Sequence, residues 1–106
     1  MNGAQLHITL IQPDIVWEDK AANLLQYEQM IAGISEPKHI VVLPEMFSTG
    51  FSMAPEKFAE EMDGPTVQWM ARIATKFRCI ITGSIMIVED GKYYNRILWV
   101  QPDGTI

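Results

Sequence analysis

Apolar positions along this chain switch between a period near two and a period near 3.6, and the switches predict its elements in order. Leu6 to Gln12, "LHITLIQ", is rich in β-branched residues and closed by Pro13-Asp14, which reads as a strand. In "EDKAANLLQYEQMIAGIS", Glu18 to Ser35, the residues Leu24, Tyr27, Ile31 and Ile34 recur at helical spacing, and Ala21 and Leu25 widen the stripe. Gly33 and Pro37 mark the far end of that helix. "HIVVL", His39 to Leu43, is short and continuously apolar, as in a strand of a parallel sheet covered on both faces.

A polar and aromatic connection follows from Pro44 to about Gly64, with room for a short helix in "PEKFAEEM". Pro65 suits a first helical turn, and Val67, Met70, Ile73, Ala74 and Phe77 form the stripe of a second long helix. "CIITGSIMIV", Cys79 to Val88, is another strand, with Gly83 as a bulge or a point of close approach. Asp90-Gly91 is a strong two-residue hairpin signal leading into Lys92 to Gln101. Helical crossovers make the first three strands parallel, and the hairpin adds an antiparallel fourth. The fold class predicted is α/β.

The tail, "QPDGTI", carries the residues of a tight turn over Pro102 to Gly104, and Thr105 and Ile106 read as the start of a returning strand. A chain that stops in mid-hairpin predicts a fragment of a longer protein. The competing expectation is a frayed end after the last strand.

Composition narrows the function more than the fold. The 106 residues suffice for one small core, and 48% hydrophobic against 20% charged residues predicts a folded domain. Thirteen acids against eight bases leave −5, with no basic stripe to suit nucleic acid. No apolar run approaches the roughly 20 residues of a membrane span, and the N-terminus lacks the pattern of a signal peptide. Cys79 is the only cysteine, which excludes an internal disulfide and points to a reducing, cytoplasmic setting. No Gly-rich phosphate loop is present, and His7 and His39 have no second ligand at metal spacing, so neither a cofactor nor a metal is expected.

The candidate chemistry lies in "VVLPEMFSTGF", Val41 to Phe51. Pro44 ends the strand and aims Glu45 outward from its carboxyl end, the edge where open α/β sheets gather their sites. Met46, Phe47 and Phe51 would exclude water around that carboxylate, a setting suited to a general base. Two readings stand at this level: a general base, or a solvated loop acid near a helix start. Met46, Phe47 and Phe51 likewise divide between lining a substrate pocket and ordinary loop packing. Cys79 at a strand start reads as a buried small hydrophobe. Lys76 suits a helix end, and Lys92 follows the hairpin turn. Asn95 reads as a structural residue reaching toward loop backbone groups. Trp17, Trp69 and Trp99 read as core or interface aromatics.

"HIVV" followed by "LPEMFSTGF" resembles the first catalytic motif of the nitrilase superfamily, the carbon–nitrogen hydrolases. "LHITLIQPDIVWEDKAANL", "GPTVQWMARIATKF", "IITGSI" and "YYNRILWVQPDGTI" extend the similarity through most of the chain. "PEMFSTGFSM" with "GPTVQWM" is most similar to the bacterial omega-amidase branch, which hydrolyses the terminal amide of 2-oxo acid amides such as 2-oxoglutaramate. The resemblance implies the N-terminal part of an α-β-β-α sandwich, a mixed sheet with helices packed on one face. It makes residues 1–106 a partial domain lacking its C-terminal remainder.

It also implies a Glu, Lys and Cys mechanism. The glutamate takes the thiol proton, the thiolate attacks the amide carbon, ammonia leaves, and water cleaves the thioester while the lysine stabilises the oxyanion. Of these, only Glu45 has a matching position here, with Met46, Phe47 and Phe51 as candidates to bind the small amide. The lysine and cysteine would follow Ile106, so this polypeptide alone is expected to be inactive. The full-length parent is expected to pair into a homodimer. An N-carbamoyl amine or a nitrile as substrate, or a non-catalytic α/β binding module, remain as alternatives.

Overall fold

The computed structural model describes residues 4–106. Seven elements follow one another: β1 (Ile8–Leu10), α1 (Lys20–Ala32), β2 (Ile40–Val42), α2 (Pro55–Phe58), α3 (Pro65–Phe77), β3 (Ile80–Glu89) and β4 (Lys92–Val100). The strands form a single sheet in the order β1-β2-β3-β4. β1 and β2 pair in parallel, as do β2 and β3. β3 and β4 run antiparallel.

Local chemistry sets most of the boundaries. Asp19 caps α1 by accepting from the Ala22 N–H. Pro65 opens α3, and Arg78 in the left-handed region closes it. Asp90 and Gly91 both have positive φ, 52° and 73°, the signature of the type I′ turn that matches strand twist. At the tail, Gln101 donates to the Thr105 carbonyl at 2.7 Å, closing the predicted turn around Gly104, and no strand is assigned to Thr105 and Ile106.

Strand alternation sorts side chains onto two faces of the sheet. Val41, Ile81, Ile85, Ile87, Leu98 and Val100 face the helices, where they meet Tyr27 and Ile31 of α1 and Val67, Trp69, Met70, Ile73 and Ala74 of α3. The opposite face has no layer over it among the described residues. Leu10 and Ile97 stand about three-quarters exposed there, at 75% and 76%. The expectation that β2 is covered on both faces is therefore corrected. Val41 is buried, while Ile40 and Val42 on the other face are only half-buried. One helical layer covers one face.

α1 departs from its predicted stripe in the same way. Leu25 and Ala21 face solvent, and Asn23 takes a place in the buried stripe beside Tyr27 and Ile31. Gly83 is a point of close approach rather than a bulge. The β3–β4 register runs through it without interruption, opposite Leu98. A Cβ added there would lie 2.9 Å from the Phe47 ring and 3.0 Å from Leu43 Cβ. Trp69 joins the core, whereas Trp17 and Trp99 are exposed.

Candidate active site

The loop after β2 does not leave the sheet at once. Leu43 donates to the Thr82 carbonyl of β3 at 2.8 Å, and Phe47 donates to the Ser84 carbonyl at 3.2 Å. Between these bonds lie Pro44, Glu45 and Met46. Met46 has φ 50°, a left-handed backbone that costs an L-residue about 1–2 kcal/mol. Such a conformation persists only where its surroundings hold it. Here the Met46 N–H donates to Ser84 Oγ at 2.8 Å, and the Met46 carbonyl accepts from Gly50 N–H at 2.8 Å.

α1 grips the same turn from the helix side. Tyr27 Oη donates to the Phe47 carbonyl at 2.7 Å, and burial pushes the Tyr27 hydroxyl well above the ordinary phenol range, so it remains a donor. Asn23 Nδ2 donates to the Ser48 carbonyl at 2.8 Å and to the Val16 carbonyl at 2.7 Å, while its Oδ1 accepts from Val16 N–H at 2.7 Å. Glu18 N–H donates to the Thr49 carbonyl, and Ser52 Oγ donates to the Glu18 carboxylate. The loop is thus fastened to the segment leading into α1, to α1 itself and to β3.

The consequence is a fixed stance for Glu45 on the open face. Its side chain is exposed and lines a cleft of about 330 Å³ with Val42, Leu43, Thr82, Gly83, Ser84 and Ile97. Asn95 Nδ2 of β4 donates to Glu45 Oε2 at 2.6 Å. A second cleft of about 350 Å³ lies beyond Asn95, between Ser52, Met53, Pro55, Met86, Tyr93 and Tyr94. The Glu45–Asn95 bond stands between the two.

Met46, Phe47 and Phe51 do not gather around the carboxylate. Phe47 is wholly buried on the helix side, edge-on to Tyr27 with centroids 5.5 Å apart and against Trp69 at 6.0 Å. It does not line the Glu45 cleft, where the sequence placed it as a candidate pocket residue. The left-handed turn at Met46 sends Phe47 through to the core, where burial of a large ring is most favourable. Met46 is buried and Phe51 is exposed, and neither lines the Glu45 cleft. Cys79 is in the core, and burial pushes its thiol up despite an opposing pull from Lys38.

Lys76 pairs with Glu28 at 2.9 Å on the helix surface. His7 N–H donates to His39 Nδ1 at 2.9 Å. Among the described residues no group of three or more His, Cys, Asp or Glu stands close enough to hold a metal ion, and no helix is long and apolar enough to cross a membrane.

Two interactions escaped the sequence. Asn95 does reach from β4 to the loop, but its partner is the Glu45 carboxylate rather than the expected backbone groups. Glu60 carries no sequence signal at all, yet it joins three elements. Its carboxylate accepts from Lys20 Nζ at 2.6 Å and from both the N–H and Oγ1 of Thr66, at 2.7 and 2.6 Å. Its backbone pairs with Met86 and Val88. Burial opposes the charge on Glu60, but the hydrogen bonds from Lys20 and Thr66 outweigh it and hold the carboxyl below its ordinary range.

The family model for carbon–nitrogen hydrolases matches residues 7–106. This chain belongs to the carbon–nitrogen hydrolase family. Over 101 residues it is 37% identical to Omega-amidase YafV of Escherichia coli, a match covering 95% of this chain and 39% of that protein. It is 28% identical to the 2-oxoglutaramate amidase of Bacillus subtilis, covering 93% and 39%. Its fold is similar to a solved superfamily member from Xanthomonas campestris, with a TM-score of 0.87 and 40% identity over 93% of this chain and 37% of that one. A nitrilase-superfamily protein of Saccharomyces cerevisiae gives 0.82 at 29% identity, over 93% and 41%. The chain spans about two-fifths of the length of the curated relatives it matches.

Proposed function

We propose that this chain supplies the general base of a carbon–nitrogen hydrolase that cleaves the terminal amide of 2-oxo acid amides. The observation that carries the reading is the Glu45 carboxylate, fixed by the turn at Met46 and presented to a cleft on the open sheet face. In this reaction Glu45 accepts the proton of a cysteine thiol, and the thiolate attacks the amide carbon. Ammonia departs, and water releases the acid from the thioester. A lysine donor offsets the charge that develops on the carbonyl oxygen.

In this reading the thiol and the lysine belong to the part of a full-length protein that this chain, about two-fifths of its relatives' length, does not span. Cys79 cannot serve, since it is buried in the core on the helix side. Similarity to Omega-amidase YafV and to a 2-oxoglutaramate amidase supports the substrate class. Pairing of full-length molecules into dimers belongs to the same reading.

The test is ammonia release from 2-oxoglutaramate. The 106-residue polypeptide should release none, and the full-length protein should be active. Glu45→Gln in the full-length protein should lower kcat by about 10²- to 10⁴-fold, the range of a lost general base. Activity of the short polypeptide, or a fully active Glu45→Gln, sinks the assignment.

A further inference from the structure

We propose that Asn95 is a positioning residue for the Glu45 carboxylate, an inference that rests on the amidase reading above. Glu45 is gripped at two points by one hairpin. Ser84 of β3 holds the backbone just after it, through the bond from Met46 N–H to Ser84 Oγ. Asn95 of β4 holds its side chain, through the 2.6 Å bond from Nδ2 to Oε2. The two gripping residues share a sheet face. Ser84 pairs with Ile97 and Met86 pairs with Asn95, so they sit two pairs' width apart on the open side.

The chemistry of the contact is one-sided. Only the amide nitrogen of asparagine can donate, and only a donor is attracted to a carboxylate oxygen, so the contact fixes which end of the amide faces Glu45. Asn95 occupies Oε2, and no donor is paired with Oε1 among the described residues. Asn95 does not itself titrate, so it takes no proton from the thiol and holds the same geometry throughout the pH range of the reaction. Its backbone is fixed in a continuous antiparallel ladder, and its side chain is exposed, so the contact adds little to the packing of the core.

The experiment uses the full-length protein with 2-oxoglutaramate. Asn95→Ala should lower kcat by about 10- to 100-fold, as expected for a misplaced catalytic group, with KM changed less than about twofold. Asn95→Asp, of equal size, sets two carboxylates against one another, which disfavours the charged form of the pair. Its kcat/KM profile should keep its shape while the acid limb moves to higher pH by about one unit or more, so that activity returns as pH rises. A residue out of contact with the Glu45 carboxylate would leave that limb in place.

The contact itself is read in the full-length protein by NMR. The Asn95 side-chain amide protons should shift upfield on Glu45→Ala. Wild-type protein that releases no ammonia sinks the amidase reading and this proposal with it. Active wild type with unchanged Asn95→Ala kinetics, or with equal losses in both variants and an unmoved acid limb, overturns the proposal alone. So does an amide signal indifferent to Glu45→Ala.

Discussion

The two faces of this sheet are built from the same strands yet serve opposite ends. On the helix face, Ile81, Ile85, Ile87, Leu98 and Val100 close against α1 and α3, and polar groups there are tied down by Tyr27 and Asn23. On the other face, Thr82, Ser84 and Glu45 line a cleft with the exposed Ile97, and Asn95 holds the Glu45 carboxylate beside it. The packed core lies on the first face and the proposed chemistry on the second. The residues joining them are those of the turn after β2, where Glu45 faces the cleft and Phe47, two positions on, lies in the core. A strained turn lets neighbouring side chains serve opposite faces of one layer.

The largest effect expected from breaking this division is at Phe47. Phe47→Ala should lower stability by about 3–5 kcal/mol, since the ring is wholly buried between Tyr27 and Trp69. Glu45→Gln, on the exposed side of the same turn, should stay within about 0.5 kcal/mol. Urea denaturation of both variants measures the contrast, and equal losses would show that the faces are not separable.

A smaller effect is expected at the Glu60 staple, whose side chain is 9% exposed. Glu60→Gln should lose about 2 kcal/mol at neutral pH, the worth of a charged hydrogen-bond network. The folded carboxyl ionises more readily than the unfolded one. Its contribution is therefore complete above the ordinary value of 4.5 and disappears as pH falls through the lowered folded value. Urea midpoints of wild type and Glu60→Gln should converge over that interval and diverge above it.

The smallest of the three destabilising effects is expected at Gly83. A methyl group there enters the space between Phe47 and Leu43, and Gly83→Ala should lower stability by about 1–2 kcal/mol. Thermal unfolding reads the loss. A neutral result would mean that the turn yields, and that Phe47 does not fix Glu45 rigidly.

Much of the fold was legible because its signals are local. Pro65, Asp90-Gly91 and the stripe Val67, Met70, Ile73, Ala74 each specify a conformation through neighbours a few residues away. The stripe of α1 misled at Leu25 and concealed Asn23, because periodicity ranks residues by hydrophobicity. A buried amide is favoured only if loop groups arrive to meet it, and these come from Val16 and Ser48. Apolar character likewise placed Met46, Phe47 and Phe51 in one class, while the structure buries Met46 and Phe47 and leaves Phe51 exposed.

By itself the sequence determined the order of elements, the antiparallel fourth strand and the acid at the end of β2, since propensity, proline geometry and turn chemistry act over short spans. Tertiary structure alone decided that Met46 is left-handed, that Phe47 lies beneath the sheet and that Asn95 meets Glu45 from 50 positions away. Those outcomes depend on which strands become neighbours, and a side chain's partner is chosen only after the backbone has brought distant positions within hydrogen-bonding reach.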